Sequence, residues 1–197
     1  MRHAFAPTAL IAALTLGVTG CSGGNEPQEP QGPTLHEVMK NVIDANADAL
    51  WDVTNDALGD QAQLEASKMS DAQWSQLALL ATSVADGAKQ LQNMDPIIVT
   101  KPGVKIADEG IPYGDSAESV QQNVDKDPEM LREFAGVLAQ DMADLAAAAK
   151  AHDADKAGPI IDQLDGVCED CHLEFWYPSQ KDLVNKFRRE GAAPPKK

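Results

Sequence analysis

Five consecutive residues, Cys168-Glu169-Asp170-Cys171-His172, hold the densest chemistry in the chain. Two thiols stand three positions apart and an imidazole follows the second. That spacing is the attachment signature of a c-type haem. Each thiol can add to one vinyl group of a porphyrin and form a thioether. The adjacent imidazole can then reach the iron as its proximal ligand. On a helix, positions 168, 171 and 172 fall at i, i+3 and i+4 and leave one face together. Glu169 and Asp170 then point elsewhere and can stay wet.

Two other chemistries use the same cysteine spacing. Cys-x-x-Cys also serves as a thiol redox pair or as half of a zinc site. A redox pair usually opens a helix after a strand, and no strand pattern precedes residue 168. A zinc site needs a second ligand pair, but the third cysteine is Cys21 and the other histidines, His3, His36 and His152, are scattered. A disulfide between residues 168 and 171 would strain a helix. The residues therefore favour haem, and covalent haem in matured protein is what separates that reading from a haem-free interaction domain or a thiol redox protein.

The elements that must position this motif read as helices. The chain is 43% hydrophobic and only 5% aromatic, alanine is abundant, and residues 34–187 recur at helical spacing. Its 197 residues make one domain the expectation. The pattern predicts an all-α fold, an antiparallel four-helix bundle with a long loop between helices 2 and 3. The formal charge of −15, from 16 basic and 31 acidic residues, argues against nucleic acid and against adhesion to anionic lipid.

Residues 1–20 read as an export signal. Arg2 precedes an apolar run from Ala4 to Val18, too short to span a bilayer, which takes about 20 residues. Val18-Thr19-Gly20-Cys21 resembles a bacterial lipoprotein box, with Cys21 as the lipidated first residue of the mature chain, and Ser22 resembles an outer-membrane sorting signal. A periplasmic, lipid-anchored location follows, and it suits a haem attached outside the cytoplasm. Residues 21–33, rich in Gly, Pro and Gln, read as a flexible tether.

The bundle is expected over residues 34–187. Thr34 and Glu37 form a capping box before a stripe of Leu35, Val38, Met39, Val42, Ile43, Ala49, Leu50 and Val53. Ser70 and Gln73 form another before Trp74, Leu77, Leu80, Ala81, Val84, Ala88 and Leu91. Residues 96–126 are apolar at Ile97, Ile98, Val99, Val104 and Ile106, yet Pro102, Gly103, Gly110 and Pro112 forbid a long helix. That connection should pack across the bundle, with a short helix at about residues 116–124. Asp127-Pro128-Glu129 opens the third long helix. A turn at Asp153-Ala154-Asp155 leads into the fourth, which carries the motif and ends at Tyr177-Pro178. Leu183, Val184 and Phe187 should lie beneath a short tail helix, and residues 188–197 read as a basic, solvated tail.

Four helices with the haem motif near the end of the last one resemble the class II c-type cytochromes, the cytochrome c-prime family. The resemblance covers residues 34–177 and rests on Leu35-His36-Glu37-Val38-Met39-Lys40, the alanine-rich third helix and Cys168 to Phe175. It implies one haem c in the bundle, often in a homodimer, with Met39 facing the iron opposite His172. Met130, Met142 and His36, the last on a different face, are the competing distal candidates. Relatives place arginines near the haem propionates; here those positions hold Leu35 and Trp176. Together the motif and the resemblance imply a one-electron carrier with His172 and Met39 as axial ligands. It would work with redox partner proteins of the cell envelope. The alternative is a five-coordinate haem protein binding NO or CO. No second titratable cluster accompanies the motif, which argues against enzymatic turnover.

Overall fold

The computed structural model describes residues 32–60, 62–112 and 114–191. The expected signal peptide, Cys21 and nearly all of the tether therefore lie outside the described residues, as do residues 192–197. Leu35–Val38, a π-helical turn Met39–Asp44 and Ala45–Asn55 run on as one helix, here α1. It is followed by α2 (Asp71–Gln92), α3 (Ala117–Lys126), α4 (Pro128–Lys150), α5 (Ala154–Phe175) and α6 (Lys181–Gly191). Among the described residues there is no strand; Leu58 and Leu64 form a lone antiparallel bridge in the α1–α2 connection. The protein is all-helical, as its periodicity predicts.

The helix starts follow from local chemistry. The Thr34 hydroxyl accepts the Glu37 N–H, and the Glu37 carboxylate accepts the Thr34 N–H at 2.8 Å. Ser70 and Gln73 do the same for α2. Asp127 accepts the Met130 N–H at 3.0 Å ahead of Pro128, whose missing N–H is harmless in a first turn. α2 packs on both α1 and α4, α4 packs on α5, and α3 touches α4 and α5. Trp74, Leu77, Val84, Met142, Leu145 and Leu164 are among the fully buried side chains where these faces meet.

α1 departs from the expected stripe. Its buried residues are Leu35, Val38, Ile43, Ala47, Leu50 and Thr54. The step from Val38 to Ile43 is five residues, which a 3.6-residue helix cannot hold on one face. The π turn absorbs the extra residue and brings both halves of α1 onto α2. Met39 and Val42 are left half-buried at the edge. α2 meets this turn with Gly87, where an added Cβ would lie 2.9 Å from Val42 Cγ1 and 3.1 Å from Ile43 Cγ1.

The long connection carries the expected short helix, α3, and before it is held by hydrogen bonds. Ile98 and Val99 offer their carbonyls to the Leu35 and His36 N–H groups at 2.8 and 3.0 Å, which satisfies donors that the start of α1 would otherwise leave open. Gln121 on α3 accepts the Val99 N–H and donates to the Ile97 carbonyl. Lys101 pairs with Glu37 at 2.7 Å and holds its carboxyl down at about 2. Ile97, Val99 and Ile106 are buried, whereas Val104 is exposed and does not join the core as expected. The tail helix differs too. It runs past the expected boundary at residue 187, and Leu183 and Phe187 are 54% and 61% exposed because, among the described residues, no element covers that side of α6.

A substitution at Gly87 tests the close approach of α1 and α2. Gly87→Ala gains about 1 kcal/mol of helix propensity but loses about 1–3 kcal/mol to overpacking. Net destabilisation is expected by chemical denaturation. Adding Val42→Ala should recover part of it. A more stable Gly87→Ala would disprove the contact.

Candidate functional site

The expected site residues come from two helices that face each other across a gap. α5 supplies Cys168, Cys171 and His172 from one face, as their spacing requires. α1 supplies Met39, the first residue of the π turn. A narrow apolar cavity of about 40 Å³ lies where four helices approach, and Leu35, Met39, Leu91, Phe134, Cys168, Cys171 and His172 are among its walls. A second cavity of about 840 Å³ shares Met39, His172 and Trp176 with the first. That volume falls in the range of about 300–1,000 Å³ that small-molecule and cofactor sites occupy. Its far wall is loop: Lys105, Ile106, Asp108, Ile111 and Asp115. The connection that was least legible in the sequence thus closes the site.

His36, expected on a different face, lines the larger cavity beside Met39 and Lys40. Positions 36, 39 and 40 fall at i, i+3 and i+4, so they share a face, and the expected separation of His36 from Met39 does not hold. The other distal candidates do not come near. Met142 is fully buried within the core and Met130 sits at the exposed start of α4; neither lines either cavity. Leu35 is buried against the smaller cavity, and Trp176 borders both.

The imidazole of His172 lies in an aromatic bracket. Its ring centroid is 5.9 Å from that of Trp176 and 5.6 Å from that of Tyr177, both tilted. The two following N–H groups, of Trp176 and Tyr177, both donate to the His172 carbonyl and end α5 there. Asn123 of α3 donates to the Phe175 carbonyl at 3.1 Å and ties that end down. Burial lowers the His172 pKa, against the opposing pull of Asp44 and Glu169, so the neutral, metal-binding form of the ring is favoured. Desolvation at the cavity wall raises Asp44, and His172 opposes it.

The cysteines are free thiols. Burial, with smaller contributions from Asp165 and Asp44, pushes Cys168 up to about 11. Burial, assisted by Cys168 and Glu174, pushes Cys171 up to about 12. A reactive redox pair needs the reverse, a thiol lowered towards neutrality. Among the described residues no three His, Cys, Asp or Glu side chains converge on a point that could hold a bare ion. The thiols and imidazole are spread along a helix face. Sequence reasoning missed Lys105, Asp44 and the π turn as parts of the site; only the five-residue step between Val38 and Ile43 could have signalled the last.

Comparison with protein-family models, with curated proteins and with solved structures returns no match.

The raised thiols carry a pH prediction for haem-free protein. Unfolded cysteines lose their protons near pH 9, whereas the folded ones hold them to about 11 and 12. The unfolded state therefore binds fewer protons in that window, and stability falls as pH rises from about 9 to 12. Thermal unfolding across that range should show the fall, and Cys168→Ser with Cys171→Ser should flatten it. An equally steep fall in the double variant would count against the buried-thiol assignment.

Proposed function

We propose that this protein is a c-type cytochrome of the bacterial cell envelope, a one-electron carrier whose single haem is bonded to Cys168 and Cys171. His172 is the proximal iron ligand and Met39 the distal one. The observation that carries this reading is the meeting of all four residues at two adjoining cavities between α1 and α5. The support is chemical. Two unbridged thiols lie at i and i+3 beside apolar walls, an imidazole follows on the same face, and a thioether stands on the opposite helix. Bound there, haem supplies a one-electron couple.

The chain's own residues account for the rest. Cys168 and Cys171 fix the group to α5, which keeps it in place through both oxidation states. His172, bracketed by Trp176 and Tyr177, is held in one orientation. A Met/His pair favours a higher potential than histidine alone, and Leu35, Leu91, Phe134 and Val167 keep water from one side. We propose further that α1, α2, α4 and α5 are the four members of an antiparallel bundle, in keeping with the resemblance to cytochrome c-prime proteins. The contacts of α1 with α2, α2 with α4 and α4 with α5 support three of its four sides. Lipid attachment at Cys21 would hold the carrier near membrane-bound redox partner proteins. No helix among the described residues is long and apolar enough to cross a membrane.

One observation favours a second reading. Met39 borders the larger cavity and is only half-buried, which leaves room for a small gas beside the iron. Both readings meet in one measurement. Protein matured with haem-attachment machinery should keep its pigment in acidified acetone, and its reduced visible spectrum should not change under carbon monoxide. Met39→Ala should then gain a carbon monoxide shift. A shift in the wild type would establish the five-coordinate gas-binding reading instead, and colourless protein would end both.

A further inference from the structure

The C-terminal helix has no place in a four-helix cytochrome, yet it is fastened to the motif. Arg188 Nη2 lies 2.5 Å from Glu169 Oε2, and Arg188 Nη1 lies 2.6 Å from Asp170 Oδ1. Glu169 and Asp170 are the two residues between the cysteines. One guanidinium thus spans the variable part of the Cys-x-x-Cys-His turn, a fork that a lysine cannot reproduce. A second ion pair, Lys181 with Glu174, fixes the start of α6 to α5 on the other side of His172. Val184 between them lines the larger cavity, and so does Glu169. Arg189, one position on, is exposed and has no ion pair with a described residue.

Charge decides what this contact does. Two carboxylates, two and three positions before His172, favour whichever state of the iron carries more positive charge. The single guanidinium on both of them offsets one of the two charges and weakens that preference. We propose that Arg188 is a positioning residue for the haem turn: by masking Glu169 and Asp170 from α6 it holds the midpoint potential of the iron up. This rests on the haem reading given above. The three side chains are 40%, 35% and 52% exposed, so the effect is partly screened and weakens with salt.

The experiment is a spectroelectrochemical titration of the full-length holoprotein at low salt, with haem content read on each sample by pyridine haemochrome. At a fixed applied potential, Arg188→Ala should move the ferric-to-ferrous ratio about two- to fifteenfold towards ferric, the range that one uncompensated charge about 10 Å away gives between water-like and protein-surface dielectrics. Arg188→Lys should restore part of the shift. Arg188→Ala combined with Glu169→Gln and Asp170→Asn leaves no net charge where the wild type has one negative, so the ratio should swing past wild type towards ferrous by about as much. Arg189→Ala removes the same charge from the same helix and should move it less. If the alanine variant does not mature, Glu169→Gln with Asp170→Asn alone should shift the ratio the other way, because Arg188 is then uncompensated. A fully loaded Arg188→Ala protein with wild-type potential, or a shift equal to that of Arg189→Ala, overturns the proposal. A wild type without haem removes the reading beneath it and the proposal with it.

Discussion

The separation of α1 from α5 is set by what each of them packs against elsewhere. α1 is pressed onto α2 at Gly87, where no side chain fits between the helices. α5 is packed along α4, and its C-terminal end is tied to α3 through Asn123 and the Phe175 carbonyl. Neither helix is free to slide towards the other. The space left between them is therefore a property of the whole helical assembly, and the side chains that face it are desolvated whether or not anything else is present. The raised thiols of Cys168 and Cys171 and the lowered imidazole of His172 are the chemical expression of that enclosure.

How much of this the sequence disclosed depends on how local each feature is. The capping pairs Thr34/Glu37 and Ser70/Gln73 and the Asp127-Pro128 start are decided within four residues, and all three are present as expected. The motif is equally local, since i, i+3 and i+4 share a face on any helix. The π turn is a borderline case. Its mark, the step from Val38 to Ile43, is hidden because Met39 and Val42 are apolar and fill the gap in an ordinary 3.6-residue stripe. The connection across residues 96–126 was legible only in part: its buried Ile97, Val99 and Ile106 and its short helix α3 could be read, but its path could not. Its partners, such as Glu37 for Lys101, lie 64 residues away. Leu183 and Phe187 show the limit of hydrophobic patterning, which finds an apolar face but not whether anything covers it.

The proposed carrier and the gas-binding alternative share one scaffold and differ at one side chain. Everything on the α5 side is common to them: two thiols, an imidazole, and the Trp176 and Tyr177 bracket. Met39 stands alone on the other side, at the point where α1 changes its winding. Such turns recur at functional positions because they let a side chain leave the register of its helix without ending it. The π turn lets Leu35 and Val38 stay in the core above it and Ile43 below it, while Met39 borders the cavity.

The carbonyls of Ile98 and Val99 complete the first turn of α1. A helix start is ordinarily a short-range affair, finished by the residues next to it. This one borrows two acceptors from a distant part of the chain, so its order depends on contacts of high sequence separation. Met39, the proposed distal ligand, thus follows a turn that is closed across the chain.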